Sequence, residues 1–378
     1  MTLLIVLSPV LVLWALNDRA TAAVGLVAPG LQTIQLPGEG IVIDPNTHIP
    51  GLVAAKTPRS ELTVRADPRA AAHVAELKAD VREAHEARAR ASAAVGVILG
   101  LLALLAAVIR SRVLARAAVL YAPAAIALGL AWRSSLAIGF GALALALVAG
   151  VSRRAFVPLL VVVFAGALLV LWQWPVTNAL ATIGPHPDGG HRFYGVTNQV
   201  ETMLLAPALA GGLVVAPLAL VAVGWSKAGA DGGGLVTYAA GYAMLALRRF
   251  GRITPRRVAV AVAVVLAGGL LLVALDATTG GSSHVTHAIG GGLPGDLAHR
   301  WRVSYDGATH SVGAFIMFAS GVALLVLVAL VRPRPPLVDA MLVAVVVSFI
   351  VNDTPQDVAL WGALGAISLL ALERSRVR

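Results

Sequence analysis

The chain contains no cysteine and few charged residues. Charged side chains make up 13% of its 378 residues and hydrophobic ones 58%, whereas a soluble domain carries about 25% charged residues. The lack of cysteine excludes disulfides, a thiolate nucleophile, an iron–sulfur cluster and a zinc site with cysteine ligands. The scarcity of charge excludes a water-soluble protein of this length and indicates a protein embedded in a membrane.

The surplus of positive charge does not indicate nucleic-acid binding. The net charge is +10, but the arginines cluster at the ends of apolar stretches, and no basic patch is interleaved with aromatic residues. Positive residues in such places hold membrane loops on the cytoplasmic side. We therefore expect membrane lipids, and no nucleic acid, as partners.

Long apolar stretches dominate the chain from residue 92 onward. The predicted spans are 94–109, 117–132, 135–151, 156–174, 234–247, 258–275, 311–331, 337–351 and 357–372. Several are shorter than the roughly 20 residues that a helix needs to cross the hydrocarbon core of a bilayer, so their ends are expected to reach into the flanking polar residues. They predict an all-α polytopic membrane protein, with about nine transmembrane helices over residues 92–378, or ten if residues 2–16 also span.

The first 91 residues have a different texture. Residues 1–66 contain short strand-like runs and turn signals, which predict a small α/β segment unless the apolar run 2–16 crosses the membrane. Asp67-Pro68 is typical of a helix start. The mixed charges that follow, over 67–91, predict a solvated helix that leads into the membrane.

Segment 201–224 is predicted to enter and leave the membrane on one side. Two prolines and a Gly-Gly pair interrupt it. A complete crossing would place the arginine-rich loop 248–257 on the side opposite Arg153 and Arg154, whereas a broken hairpin keeps both in the cytoplasm of a bacterial inner membrane. The C-terminus is then cytoplasmic too. Irregular backbone at that depth needs protein or water partners, so the hairpin is expected to line a cavity; a kinked ordinary span is the alternative.

Polar side chains accumulate in the loops that this topology places on the outer face. Ionisable groups near a membrane boundary need water, a partner or a ligand, so we expect a site there. The candidate catalytic residues, able to move a proton or bind a metal, are His191, Glu201 and Asp353. The candidate substrate-binding residues are Arg192, Tyr194, Asn198, Asp231, His287 and Asn352.

These residues also have simpler structural interpretations. Asp231, in GADGGG at 229–234, is typical of a helix cap as well as of a cation ligand. The HxxH pair that ends at His287 suits metal chelation on a helix but lies between glycines, which favour a loop. Asn352 and Asp353 also suit a tight turn. The pattern indicates no particular metal or cofactor, and both stay unknown.

The sequence resembles a group of poorly characterised bacterial multi-pass membrane proteins. The resemblance lies in RFYGVTNQVET at 192–202, followed in order by GADGGG, SHVTH and VNDTPQD, and it covers roughly residues 92–372. These proteins carry an RFYGxGN-like loop and an NDSG-like turn, and often an upstream alkaline-phosphatase-like domain outside the cytoplasm. This chain departs from that pattern at residues 197 and 354–355.

The resemblance also bears on the start of the chain. Residues 1–66 look like the tail of the phosphatase-like domain. There is no room ahead of them for that domain's metal-bound nucleophile. The resemblance therefore implies that any hydrolase activity of that kind would come from a partner protein that supplies the missing catalytic domain.

Three functions are compatible with these patterns. The leading hypothesis is an enzyme, or an enzyme-like binding protein, that acts at the outer leaflet on a polar lipid or a lipid-linked envelope precursor. Broken helices are also typical of transporters and flippases, although the chain has no inverted repeat and its inner loops have few polar groups. A non-catalytic scaffold subunit is the third hypothesis, which the incomplete N-terminal segment favours.

Overall fold

The structure of the chain is a computed structural model. It describes residues 26–27, 65–66, 70–174, 178, 181–184, 195–225, 228–229, 231–251, 253–278, 302, 304, 306, 308–309, 311–352 and 354–376. Most of these residues are helical, as the long apolar stretches predict.

Side-chain caps and apolar runs set the bounds of the helices. The helices are α1 (Ala70–Ile109), α2 (Arg112–Gly129), α3 (Ser135–Val151), α4 (Phe156–Gln173), α5 (Asn198–Gly211), α6 (Ala216–Gly224), α7 (Gly232–Arg249), α8 (Pro255–Thr278), α9 (Val312–Leu330), α10 (Pro336–Val351) and α11 (Pro355–Arg376). A 3-10 turn, Gly212–Val214, joins α5 to α6. Several starts are fixed by a side-chain oxygen that accepts a hydrogen bond from a free N–H of the first turn. These caps are Ser111, Ser134, Thr197, Asp231 and Ser311.

Five helical stretches among the described residues are long and apolar enough to cross a membrane. They are Ala87–Ile109, Arg112–Gly129, Phe156–Gln173, Val312–Leu330 and Pro355–Arg376. α3 and α10 are apolar but shorter, with 17 and 16 residues, so each extends about 25 Å, less than the ~30 Å hydrocarbon core. The predicted spans 234–247 and 258–275 lie on α7 and α8, which are not among the five. The described residues therefore do not support a count of nine or ten spans.

The outer surface of the bundle is apolar. Only 17% of the most apolar 18-residue stretch of α9 is buried. Phe315, Ile316 and Leu327 of this helix point outward, each with more than half of its surface accessible. A soluble protein rarely exposes contiguous apolar surface on this scale. Together with the five apolar helices, this surface is consistent with a membrane protein.

The N-terminal prediction is not supported. Within residues 1–66, the described part consists of Leu26–Val27, which pairs in parallel with Arg65–Ala66. Each strand is two residues long. A ladder of two residues per strand is too short to support the predicted α/β segment. The possible span 2–16 lies outside the described residues.

α1 is one continuous helix of 40 residues, or about 60 Å. The predicted juxtamembrane helix 67–91 and the first predicted span therefore belong to the same rod. Ala87 and Ala91, which precede the predicted span 94–109, are already buried in the core.

α11 lies at the centre of the bundle. The most apolar 18-residue stretch of α11 is 72% buried. The helix packs against α1, α5, α9 and α10. Small residues allow the close approach: a Cβ on Gly321 of α9 would lie 2.4 Å from the backbone carbon of Ala359. Backbone contact through small residues is a usual way for helices to pack in membranes.

Arginine side chains join the helices at one end of the bundle. Arg116 donates from Nε to the Gly150 carbonyl at 2.6 Å, and Arg112 donates from Nε to the Ser375 carbonyl at 3.0 Å. Arg248 forms an ion pair with Asp339 at 2.8 Å. We call this end, where α2 and α10 begin and α3, α7 and α11 finish, the arginine end. The opposite end, where α5, α7 and α11 begin and α10 finishes, is the polar end.

The break predicted in segment 201–224 is present, because the 3-10 turn Gly212–Val214 divides it into α5 and α6. Val196 donates its N–H to the Gly229 carbonyl at 2.9 Å, and Asp231 donates its N–H to the Val223 carbonyl at 3.0 Å, so α5 starts and α6 finishes beside the same loop. Between them the chain turns at Gly212, whose φ of +65° favours glycine. A Cβ there would lie 3.1 Å from the guanidinium of Arg249, close to the arginine end.

Candidate functional site

Three of the predicted site residues meet at the polar end. Glu201 lies in the first turn of α5, Asp231 caps the start of α7, and Asn352 ends α10. Asn352 donates from Nδ2 to Oε2 of Glu201 at 3.0 Å, across 151 residues of sequence. Their exposed fractions are 0% for Glu201, 7% for Asp231 and 6% for Asn352. The structure therefore brings these three together in a site closed to bulk water.

Two carboxyl groups face each other in this site. The Glu201 carboxyl contacts the Asp231 carboxyl and the Thr237 hydroxyl. Oε1 of Glu201 and Oγ1 of Thr237 are both buried, and neither forms a hydrogen bond. Most buried polar atoms in folded proteins are hydrogen-bonded, and leaving one unpaired costs about 1–3 kcal/mol. The site thus has two neighbouring buried oxygens that form no hydrogen bond of normal geometry.

Two glycines at the start of α7 permit this arrangement. A Cβ on Gly233 would lie 2.2 Å from Oδ1 of Asn352, and a Cβ on Gly234 would lie 3.0 Å from the Glu201 carboxyl carbon. Asp231 accepts from the N–H of Gly234 at 3.1 Å, which satisfies one of the free donors of the first turn. The predicted capping role of Asp231 is confirmed, and the glycines bring Glu201 and Asn352 against the helix start.

Hydrogen bonds from neighbouring helices hold the three residues in place. Asn352 also donates to Oγ of Ser348 at 2.8 Å, so its amide nitrogen has two acceptors. Tyr238 donates its hydroxyl to the Glu201 carbonyl at 2.8 Å. Asn198 is the first residue of α5, and its carbonyl accepts from the Thr202 hydroxyl one turn later at 2.7 Å. These contacts fix the geometry of the site from α5, α7 and α10.

A second polar cluster, which sequence reasoning missed, lies between α1 and α5. Gln199 accepts from Nη2 of Arg88 at 3.2 Å and donates from Nε2 to Oγ of Ser92 at 2.8 Å. Arg88 also interacts with the carboxyl group of Asp357 at the start of α11. The sequence places Arg88 on a charged helix that is expected to be solvated, and no local pattern indicates a partner more than 100 residues away.

Thr237 is another residue that sequence reasoning missed. Its position three residues after Gly234, inside an apolar stretch, is the one signal that could have identified it. Residues three apart lie on the same face of a helix, so Thr237 shares the face on which Gly234 meets the Glu201 carboxyl. The functional set at the polar end therefore includes an uncharged hydroxyl from within a predicted span.

Tryptophan side chains surround the polar end. Trp132 and Trp172 are 42% and 40% exposed, and the rings of Trp172 and Trp225 lie 5.8 Å apart. All three residues lie at helix ends on this side of the bundle. Tryptophan is enriched at the interface between membrane and water, so the site lies close to the level where lipid headgroups would be.

His191, Arg192, Tyr194, His287 and Asp353 lie outside the described residues. Gly195, which follows Tyr194, is held by Nδ2 of Asn178, which donates to its carbonyl at 2.8 Å, and Asn352, which precedes Asp353, lies at the polar end. In the part of the chain that the structure describes, no group of three or more histidine, cysteine, aspartate or glutamate side chains is placed to hold a metal.

The described groups allow two kinds of chemistry. An unpaired carboxylate oxygen can accept a proton from a substrate hydroxyl or amine. The opposed carboxyls and the hydroxyl of Thr237 together form an oxygen-rich site that would attract a positive charge. The chain matches no protein-family model, no curated protein and no solved structure.

Proposed function

We propose that this chain is a multi-pass protein of a bacterial inner membrane that acts, as an enzyme, on a polar lipid or a lipid-linked precursor of the envelope. The reaction takes place at the polar end, on the outer face. The observation that carries this proposal is the convergence of Glu201, Asp231 and Asn352, with an unpaired carboxylate oxygen, beside the exposed tryptophans. The resemblance to multi-pass bacterial proteins adds support from the sequence.

The depth of the site supports a substrate that resides in the membrane. Glu201 lies in the first turn of α5, and the hairpin that begins there ends just before Trp225. A headgroup at the tryptophan level would approach the helix starts from the lipid side. The polar headgroup of a lipid always lies at the membrane–water interface, whereas a soluble substrate is not confined to that level.

The chemistry of the site supports proton transfer. Oε2 of Glu201 is held by Asn352, while Oε1 is unpaired. Glu201 would take the proton of an attacking hydroxyl, with Asn352 keeping the carboxylate oriented. Arg192, adjacent in sequence to this part of the chain, would bind an anionic headgroup through its guanidinium.

The charge distribution supports the orientation. Arg112, Arg116 and Arg248 lie at the arginine end, and arginine is enriched on the cytoplasmic side of membrane proteins. The polar end then faces outward, and the C-terminus, at the last turn of α11, is cytoplasmic.

Lipid co-purification tests this function. The wild-type protein, Glu201→Gln and Glu373→Gln are purified in the same detergent, and bound lipids are identified by native mass spectrometry. Glu373 pairs with Arg376 at the arginine end, so its variant is a matched control. We expect one lipid class to be retained and chemically converted by the wild type and the control, and retained but not converted by Glu201→Gln. Equal conversion by all three would contradict the proposal.

The broken hairpin favours a second function, transport of such a lipid. Discontinuous helices that carry polar residues at the start of a half-helix are common in transporters, and α5 has this form with Glu201 in its first turn. Reconstitution into liposomes with a fluorescent headgroup-labelled lipid distinguishes the two. Movement of the unchanged lipid between leaflets, abolished in Glu201→Gln, would favour transport, whereas a modified headgroup would favour the enzyme.

A further inference from the structure

We propose that the Glu201–Asp231 pair binds a hard divalent cation, Mg²⁺ or Ca²⁺, together with the hydroxyl of Thr237. The existence of the site depends only on the described geometry. Its role in catalysis rests on the function proposed above, in which the cation would bind an anionic headgroup.

The opposed carboxyls favour a positive charge between them. Two carboxylates in contact repel each other, and burial away from water makes each charge costly. The described contacts of the Glu201 carboxyl are Asp231, Asn352 and Thr237, none of which is cationic. A divalent cation neutralises both carboxylates at once, whereas a single proton neutralises one.

Two buried, unpaired oxygens point to a ligand in the same place. Oε1 of Glu201 and Oγ1 of Thr237 have no hydrogen-bond partner, and both residues are 0% exposed. They come from different helices, α5 and α7, and the two side chains contact each other. The Thr237 hydroxyl is independent of the carboxyl pair, because it adds no charge but offers a lone pair.

The donor atoms select the class of ion. Carboxylate, hydroxyl and amide oxygens are the ligands of Mg²⁺ and Ca²⁺, whereas zinc and copper prefer nitrogen and sulfur. No imidazole or thiolate is among the described groups around Glu201. Glu201 has no accessible surface, so a bare ion fits the site better than a substituted ammonium group.

Thermal unfolding in detergent tests the cation site without any lipid substrate. Full-length protein is treated with a chelator, dialysed, and melted with MgCl₂, CaCl₂ or NaCl at matched ionic strength. A ligand that binds only the folded state raises the unfolding midpoint as its concentration passes the dissociation constant. We expect a saturable rise with one of the divalent salts, and none with NaCl.

The variants are chosen so that the fold survives. Glu201→Gln keeps an oxygen for Asn352, and Asp231→Asn keeps a side-chain cap for α7. We expect both to lose the divalent-ion effect, and Glu373→Gln to retain it. Native mass spectrometry supplies a second readout, as a mass increase of one ion in the wild type alone.

Two outcomes would overturn the cation site. One is a wild-type midpoint that does not depend on divalent ions, with no mass increase. The other is the same rise in both site variants as in the wild type. Neither result depends on lipid conversion. A protein that binds the ion but converts no lipid would instead contradict the proposed enzyme and leave the cation site in place.

Discussion

The two ends of the bundle use their polar groups in opposite ways. At the arginine end, Arg116 and Arg248 meet carbonyl or carboxylate oxygens, so donors face acceptors. At the polar end, two acid groups meet: the carboxyl of Glu201 faces that of Asp231, and the Asn352 amide donates to one oxygen of Glu201. The first arrangement stabilises the fold. The second costs stability, and such arrangements are typical of functional sites, where activity is retained at the expense of stability.

The largest effect on stability is expected from Arg116→Ala. Arg116 is 8% exposed and donates to the carbonyls of Gly150 and Val151 at the end of α3. Removal leaves both carbonyls without this donor, and hydrogen bonds from charged groups contribute about 1.5–3 kcal/mol each. We expect the free energy of unfolding in mixed micelles to fall by about 3 kcal/mol. Arg116→Lys, which keeps the charge, should recover part of the loss, and an unchanged stability would break the comparison.

The next largest effect is expected from Gly233→Ala at the polar end. The new Cβ would lie 2.2 Å from Oδ1 of Asn352, so the Asn352 amide must move away from Glu201. Overpacking of this kind costs about 1–3 kcal/mol, and we expect a loss near the lower value because a side-chain amide can rotate. The divalent-ion effect on the unfolding midpoint should disappear as well. Gly268→Ala on α8, where a Cβ has nothing within 4 Å, is the control.

Thr237→Val should raise the stability of the ion-free protein, whereas the two preceding substitutions lower stability. Its hydroxyl is buried and forms no hydrogen bond, so replacement by a methyl group of similar size removes an unsatisfied polar atom. We expect the ion-free protein to be more stable than the wild type by about 1 kcal/mol, and the ion to bind more weakly. Unfolding measured with and without divalent ions separates the two effects. A loss of stability in the ion-free protein would show that the hydroxyl is satisfied.

The smallest effect is expected from Glu373→Gln. Glu373 and Arg376 form an ion pair at 2.7 Å on the surface of the arginine end, and exposed pairs contribute about 0–1 kcal/mol. We expect no change in lipid conversion or ion binding. A loss of either would mean that the arginine end takes part in function, against the contrast drawn between the two ends.

Much of the helical architecture can be predicted from the sequence. The span predicted at 135–151 is α3 itself, and that at 337–351 differs from α10 by one residue. The return of segment 201–224 to its starting side can be predicted from the arginines, because arginine-rich loops lie on the cytoplasmic side of a membrane and so fix which loops share a side. The meeting of Glu201, Asp231 and Asn352 follows from the same argument.

Other features depend on tertiary contacts that no local pattern contains. The predicted spans leave Arg112 and Arg116 in a loop. In the structure α2 begins at Arg112, because Ser111 caps the helix. The guanidinium of Arg116 is satisfied by carbonyls at the end of α3. The pairing of Arg88 with Gln199 joins residues 111 apart. Burial and pairing of charged side chains therefore decide which polar residues belong to loops and which to the core.

Sidedness is the central claim, and the absence of native cysteine makes it directly measurable. Single cysteines replace Ser311, exposed at the polar end beside α9, and Ser152, exposed at the arginine end after α3. Intact cells are treated with a membrane-impermeant maleimide, before and after permeabilisation. We predict labelling of Ser311→Cys in intact cells and of Ser152→Cys only after permeabilisation. Labelling of both from the outside, or the reverse order, would contradict the account.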